Sequence, residues 1–312
     1  PNIPQSKKIK NISIKKNINL GLIFNKKGIE LISHKFENGK QILNILFDNK
    51  KYEIALNLIG KIQTTNILMA ILAANKSGLK FEKIINVIHK LKSVEGRLEK
   101  IGKIKNNSKV ILDYAHTPEA LKLALLNLKE QFPMSKISLV FGCGGNRDFK
   151  KRSIMGKIAE KYSDKIYLTD DNPRYENPKK IRKDIKKGIN KSKILEISNR
   201  KKAIQEAIMN LETGNLLLVA GKGHEKIQDY GKRKLFFSDQ EIILKSIKLK
   251  NKSLSSDLKL NIIKEESNSE ISKKINIKNI SINSKTIKKD DVFFAIIGKN
   301  FDGNKFIPEV LK

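Results

Sequence analysis

Four short polar motifs, each directly behind an apolar run, constrain this chain more than any other feature in it. They are Asp113-Tyr-Ala-His116-Thr-Pro118, Gly142-Cys-Gly-Gly-Asn-Arg147-Asp148, Asp170-Asp-Asn-Pro-Arg174 and Gly221-Lys-Gly-His-Glu225. The runs in front of them are Val110–Leu112, Ile137–Phe141, Ile166–Leu168 and Leu216–Ala220, with helical spacing in between. Short apolar runs alternating with amphipathic helices read as βα units and a parallel sheet. Ligands of such open sheets bind outside the carboxyl ends of the strands. The four motifs are therefore expected to converge on one crevice of an α/β, Rossmann-like fold.

The formal net charge of +32, from 64 basic and 32 acidic residues, would ordinarily point to a polyanion or an anionic membrane. The basic residues, however, are scattered lysines on every segment, mixed with Ile and Asn, and form no cluster. We read them as a compositional bias carried on solvated faces and expect no nucleic-acid partner. A non-enzymatic polyanion-binding protein is the alternative from a different class, and steeply salt-dependent DNA binding would mark it. Against this lysine background the arginines stand out, because only Arg presents a planar fork to carboxylate or phosphate. Arg97, Arg147, Arg152 and Arg174 lie in or beside the motifs and are expected to serve them.

The single cysteine, Cys143, rules out an internal disulfide, fits a reducing cytoplasm and is expected to be a small buried residue rather than a nucleophile. The longest apolar stretch, Ile67 to Ala74, is too short to cross a bilayer, so no membrane insertion is expected. The chain opens on Pro1 and stops at Lys312 within a pattern, and is read as part of a longer protein.

Residues 1–95 read as an α/β segment lacking its beginning. It holds Lys-rich alternating strands, a hairpin at Phe47–Tyr52 and helices over about 63–76 and 81–91. Residues 96–245 form the motif-bearing unit, with roughly five strands and four helices. Thr117-Pro118 and Asn177-Pro178 each pair an N-cap with a proline at the first helical position. Residues 246–274, rich in Lys, Ser, Asn and Glu without steady periodicity, read as a linker. From 275 to 312, strand-like runs at Ile275–Ile282 and Val292–Ile296 open a further domain.

Each motif has a plain chemistry. Asp113 and His116, at a strand-to-helix turn, can reach a metal-bound phosphate or a ribose, or can simply cap the turn. Gly142, Gly144 and Gly145 allow close backbone approach beside Arg147. Pro173 fixes the backbone around Asp171, Asn172 and Arg174, and two carboxylates, an amide and a guanidinium suit an amino acid with extra charges. Glu225 can hold an ammonium, while His224 has no second ligand at metal spacing.

Taken together, and with Gly96-Arg97-Leu98-Glu99 as a domain junction, these motifs resemble the Mur ligase family. The resemblance implies a Mur ligase C-terminal domain, preceded by part of the ATP-binding central domain, in a cytoplasmic enzyme. It implies ATP- and Mg2+-dependent joining of meso-diaminopimelate to UDP-N-acetylmuramoyl-L-alanyl-D-glutamate through an acyl phosphate. Arg147, Asp171, Asn172, Pro173, Arg174, Gly221 and Glu225 then correspond to residues that bind the diaminopimelate. Asn66, Arg97, Asp113 and His116 correspond to residues near ATP. Ser281-Ile-Asn-Ser284-Lys-Thr286, Asp291–Ala295 and Asn300–Gly303 resemble the start of a second Mur ligase, that of the D-alanyl-D-alanine-adding member, with Ser284 toward the UDP-sugar. Without a Gly-x-x-Gly-Lys-Thr phosphate loop, residues 1–312 are expected to be inactive alone. A lysine-adding member is the nearer alternative, disfavoured by Arg174, and folylpolyglutamate synthetases are more distant.

Overall fold

The computed structural model describes residues 28–190, 194–267, 280–289, 291–298 and 301–311. The chain divides into two units, Pro1–Ile247 and Lys248–Lys312.

The first unit begins with an antiparallel meander of β1 (Glu30–Glu37), β2 (Lys40–Phe47) and β3 (Lys50–Leu56). Asp48 and Asn49 join the last two with φ of +47° and +59°, the mirror-image turn whose twist matches a two-residue hairpin. Strand alternation turns Leu43, Ile45, Ile54 and Leu56 inward. Against them pack Leu68, Ile71 and Leu72 of α1 (Ile62–Lys76) and Phe81, Ile84 and Ile88 of α2 (Phe81–Ile88). The hairpin and both helices match the sequence expectation, except that α2 ends before Leu91.

The second part is a six-stranded sheet. Its strands are β4 (Glu99–Ile101), β5 (Lys109–Asp113), β6 (Ile137–Phe141), β7 (Lys165–Leu168), β8 (Ile194–Glu196) and β9 (Leu216–Ala220). Their order in space is β4-β5-β9-β6-β7-β8, with only the edge strand β4 antiparallel. The unexpected sixth strand, β4, is three residues long and gives no periodic signal. A small hairpin, β10 (Ile227–Asp229) with β11 (Lys234–Phe236), follows the sheet. The four strands that carry motifs, β5, β9, β6 and β7, are consecutive neighbours and run parallel, so their carboxyl ends open side by side.

Between the strands lie α3 (Pro118–Gln131), α4 (Lys151–Tyr162), α5 (Pro178–Lys186) and α6 (Arg200–Met209). Thr117 accepts from the Ala120 amide and Asn177 from the Lys179 amide, each before a proline that gives up no intrahelical bond. Helix α3 also joins the two parts of the unit. Gln131 Oε1 accepts from Gly60 N at 2.9 Å, Asn127 Oδ1 accepts from Lys61 N at 2.6 Å, and Gln131 Nε2 donates to Gly39 O at 2.8 Å. These bonds satisfy loop groups that would otherwise be buried without partners.

Three arginines are spent on the interior. Arg200, 1% exposed, donates from Nε and Nη2 to the two carboxylate oxygens of Asp239 at 2.8 and 2.6 Å, and from Nη2 to Ala220 O at 3.0 Å. Arg152, also 1% exposed, pairs with Glu176 and Asp184, and Arg182 pairs with Asp170 and Glu196. Arg152 serves the motifs from the interior: Nη2 lies 3.5 Å from Gly144 O and pairs with Glu176, whose carboxylate accepts from Asn146 N.

Residues 246–267, read from the sequence as part of a linker without steady periodicity, are helical. Helix α7 (Asp239–Ser267) runs through them from a first turn in which Ser238 Oγ accepts from Glu241 N. Ile243 and Ile247 are buried on its early turns. No Gly or Pro interrupts residues 239–267, so the helix continues although the apolar spacing fades. Residues 268–274 lie outside the described residues, as do 1–27.

The second unit contains short strands. β12 (Ile280–Ser281) pairs in parallel with β13 (Val292–Phe293), and β14 (Ile297–Gly298) pairs antiparallel with β15 (Phe301–Asp302). The strand expected over 275–282 is described only from Ile280, and that over 292–296 is two residues long. A 3-10 turn (Gly303–Phe306) capped by Asp302 leads into α8 (Ile307–Val310). Among the described residues, no helix is long and apolar enough to cross a membrane.

Asp239→Ala strands the Arg200 guanidinium in the interior. Urea denaturation is expected to show a loss of about 3–5 kcal/mol, the usual cost of removing one partner of a buried ion pair. A loss below about 1 kcal/mol, the size of an exposed pair, would contradict this account.

Candidate functional site

The loops after β5, β9, β6 and β7 are bonded to one another at a single rim. The β7 loop centres on Asn172, which is buried. Its Oδ1 accepts from Lys222 Nζ at 3.0 Å and from Asp229 N at 3.0 Å, and its Nδ2 donates to Glu225 Oε2 at 3.0 Å. Glu225 Oε2 also accepts from Lys222 Nζ at 3.1 Å, and Oε1 accepts from the Tyr114 hydroxyl at 3.3 Å. The β6 loop joins through Gly145, whose amide donates to Asn172 O at 2.9 Å and whose carbonyl accepts from Arg174 Nη1 at 2.9 Å. The convergence expected from the spacing of the motifs is therefore present.

Two glycines permit this closeness. A Cβ on Gly145 would lie 1.9 Å from Pro173 O, so only hydrogen fits between these loops. Gly221 has a φ of +115° and a Cβ there would lie 2.6 Å from Asp171 Oδ2. Arg174 itself adopts a φ of +52°, which a non-glycine residue takes at a cost; its amide is held by Asp229 O at 2.9 Å. Its guanidinium uses Nη1 on backbone carbonyls and has Nε 3.9 Å from Asp229 Oδ2. Nη2 donates to no described residue.

The acidic groups differ sharply in state. Burial pushes the Asp171 carboxyl above the usual carboxylate range, against the attraction of Arg200 and Lys222. Its Oδ2 has no hydrogen-bond partner and stands 3.9 Å from Arg200 Nη1, which also lacks one. Burial likewise raises Asp170, against Arg182. For Glu225 burial acts upward too, but the Lys222 charge and its hydrogen bonds win, and the carboxyl is held low. The Cys143 thiol, buried against Met155, is pushed up to about 12 and is no nucleophile, as the sequence indicates.

The nucleotide-facing candidates separate. Arg97 lies over the Tyr114 ring at 4.9 Å, and His116 meets the same ring edge-on at 4.6 Å. Asp113 is committed to the backbone: Oδ2 accepts from Leu98 N and Oδ1 from Ala115 N, both at 2.8 Å. Of the two readings of Asp113, the structure favours the local cap, with burial raising its carboxyl. Asn66 is exposed on α1, and its side chain donates weakly to Gln63 at 3.4 Å, with no bond to the four-loop rim. Arg147 is exposed and makes no bond to the rim. Ser284, in the second unit, lies in a turn where Asn283 Oδ1 accepts from Lys285 N. Among the described residues, no three His, Cys, Asp or Glu side chains gather as a metal site.

Sequence reasoning missed Lys222, Gln228 and Asp229. Gln228 Nε2 donates to Asp171 O at 2.9 Å and so supports the β7 loop from the β10 side. Lys222 was visible as the lysine inside Gly221–Glu225, but nothing marked it as the lysine with no exposed surface.

With this geometry, residues 96–223 match the family described as Mur ligase, glutamate ligase domain. These residues form a Mur ligase C-terminal domain. The chain is 47% identical over 210 residues to UDP-N-acetylmuramoyl-L-alanyl-D-glutamate--2,6-diaminopimelate ligase of Rickettsia rickettsii, covering 67% of this chain and 43% of that protein. It is 44% identical over 211 residues to the enzyme of the same name from Buchnera aphidicola subsp. Baizongia pistaciae, covering 67% and 41%. A solved structure of that ligase superposes with a TM-score of 0.58 at 30% identity, over 70% of this chain and 45% of the other. The chain thus spans less than half the length of the curated relatives it matches. The mostly parallel α/β architecture expected from sequence is the fold shared with that solved ligase structure.

Carboxylate titration by carbon-detected NMR checks the site electrostatics. Asp171 is expected to titrate above the ordinary aspartate value and Glu225 below the ordinary glutamate value. By linkage, Glu225 then contributes stability that is present above its unfolded-state pKa and lost as pH falls through its folded value. Asp171 has the opposite sign, and its cost is relieved as pH falls. Ordinary values for both would contradict the arrangement.

Proposed function

We propose that this chain supplies the amino-acid-binding half of an ATP-dependent ligase that joins meso-diaminopimelate to UDP-N-acetylmuramoyl-L-alanyl-D-glutamate in the cytoplasm. The observation that carries the reading is the rim of Asn172, Arg174 and Glu225, bonded together in a domain whose relatives bear that ligase's name. A carboxylate offers itself to an ammonium, and an amide and a guanidinium offer themselves to a carboxylate, which is the complement of a zwitterion carrying a second carboxylate.

In the proposed reaction ATP phosphorylates the D-glutamyl carboxylate, releasing ADP and leaving an acyl phosphate. The diaminopimelate amine then attacks the acyl carbon, the amide forms, and phosphate and a proton depart. This chain's residues act by holding and orienting the incoming amino acid. Arg174, with Nη2 uncommitted, takes the distal carboxylate, and Arg147, exposed on the β6 loop, is assigned to the same amino acid by its place in the motif. Glu225 holds the ammonium of that distal centre. Gly221 and Pro173 shape the backbone between them, and Asp171 supports it. Arg97, His116 and the α1 residue Asn66 face the nucleotide, with Asp113 fixing the turn that presents them. Magnesium carried in with ATP would neutralise phosphate charge, and among the described residues no three His, Cys, Asp or Glu side chains gather to hold it. Closure of this domain over the nucleotide would exclude water from the acyl phosphate.

Residues 275–312 are proposed as the opening of another Mur ligase, that of the D-alanyl-D-alanine-adding member, with Ser284 toward a UDP-sugar. The support is the order of Ser281–Thr286, Asp291–Ala295 and Asn300–Gly303.

The test is side-chain selectivity in the full-length ligase. Lysine lacks the distal carboxylate, which would leave the Arg174 guanidinium without its partner. Arg174→Ala is expected to erase a preference of roughly 30-fold or more for diaminopimelate over lysine, measured as the ratio of kcat/KM values. Equal use of both amino acids by the unmutated enzyme would overturn the assignment.

A further inference from the structure

Lys222 has no exposed surface, and its side chain ends in the loop that holds Glu225. Its ammonium donates to Asn172 Oδ1 at 3.0 Å, to Glu225 Oε2 at 3.1 Å and to Ile227 O at 2.6 Å. An ammonium has three protons and accepts nothing, so these bonds saturate it and leave none for a substrate. Lys222 therefore touches no ligand and acts on the site through its neighbours.

Its effect on Asn172 is unambiguous. The two ends of a carboxamide are nearly interchangeable in shape, and only donors in fixed positions decide which end faces where. Here two obligate donors, Lys222 Nζ and the Asp229 amide, both meet the same atom of Asn172, which must be the oxygen. Both oxygen lone pairs are then occupied. One amide proton goes to Glu225 Oε2. The remaining hydrogen-bonding capacity of Asn172 is a single N–H. On Glu225, Oε2 receives Lys222 and Asn172 and is full, while Oε1 receives only Tyr114 and keeps one lone pair. Beside the free Arg174 Nη2, the Asn172–Glu225 pair thus presents one donor and one acceptor side by side, in that order only.

We propose that Lys222 is a positioning residue that sets the polarity of the amino-acid subsite, turning Asn172 outward as a donor to a ligand carboxylate and Glu225 Oε1 outward as an acceptor for the adjacent ammonium. This inference rests on the ligase reading above and extends it from which residues surround the amino acid to which end of it each residue takes. Without the ammonium, the Asn172 amide loses one of the two donors that fix its orientation. It can then present its oxygen to the carboxylate, and Glu225 is freed from its second anchor.

The test is Lys222→Met in the full-length ligase, with KM read separately for each substrate. The diaminopimelate KM is expected to rise by roughly 10- to 100-fold, the range for a lost hydrogen bond to a charged group. The KM values for ATP and for the UDP-linked dipeptide are expected to stay within about 2-fold, a factor below 0.5 kcal/mol. An unchanged diaminopimelate KM, or a parallel rise in all three, overturns the inference. An unmutated enzyme that does not accept diaminopimelate sinks the functional reading itself and is told apart by that control. Should the Met variant fail to fold, the Lys222 ammonium is read by nitrogen NMR in the unmutated enzyme. A signal protected from exchange that shifts on adding diaminopimelate but not a non-hydrolysable ATP analogue supports the proposal, and a freely exchanging or unresponsive signal overturns it.

Discussion

The structure of the rim depends on keeping a buried ammonium fully paired. Lys222 enters the interior behind β9 only because the Asn172 amide, the Glu225 carboxylate and the Ile227 carbonyl converge on it. A buried charge with fewer partners would be strongly unfavourable. Satisfying it draws the β7 and β9 loops together and brings the β10 hairpin against both. Gly221 keeps the β9 loop close to Asp171, and Gly145 does the same for the β6 loop against Pro173, since a side chain at either place would hold the loops apart.

A second layer of buried charge supports this one. Arg200 pairs with Asp239 at the start of α7 and bonds Ala220 at the end of β9, just before Gly221. The same guanidinium stands near Asp171. The base of the rim is thus tied to α6 and α7, elements that carry no motif. Precise placement of a polar site demands such fixed surroundings, because a loop held only at its ends wanders by more than a hydrogen bond tolerates.

Much of this was legible in the sequence, for local reasons. The motif-bearing strands are short apolar runs bounded by polar turns. The Asp48-Asn49 hairpin and the caps at Thr117 and Asn177 depend on side chains within a few residues of the backbone they serve. The convergence of four motifs also followed from general rules of parallel sheets. The partners of the buried cations did not, because Arg200 and Asp239 lie 39 residues apart and only the fold joins them. Arginine was a true signal in a lysine-rich chain, but an ambiguous one. Arg174 is at the rim, whereas Arg152, Arg182 and Arg200 are buried structural pins, and nothing in their local sequence separates the two uses. Asp113 was ambiguous in the same way, since a carboxylate at a strand end can cap a turn or face a ligand. The helix beyond residue 246 escaped notice because a helix needs no amphipathic pattern where nothing breaks it.

Mapping where diaminopimelate binds tests the amino-acid subsite most directly. Backbone amide NMR of the protein titrated with meso-diaminopimelate, and separately with lysine, reports which loops respond. Shifts are expected to be confined to residues 144–147, 171–174 and 221–225, with the Arg174 response absent when lysine is used. Shifts centred elsewhere, or identical maps for the two amino acids, would contradict this subsite.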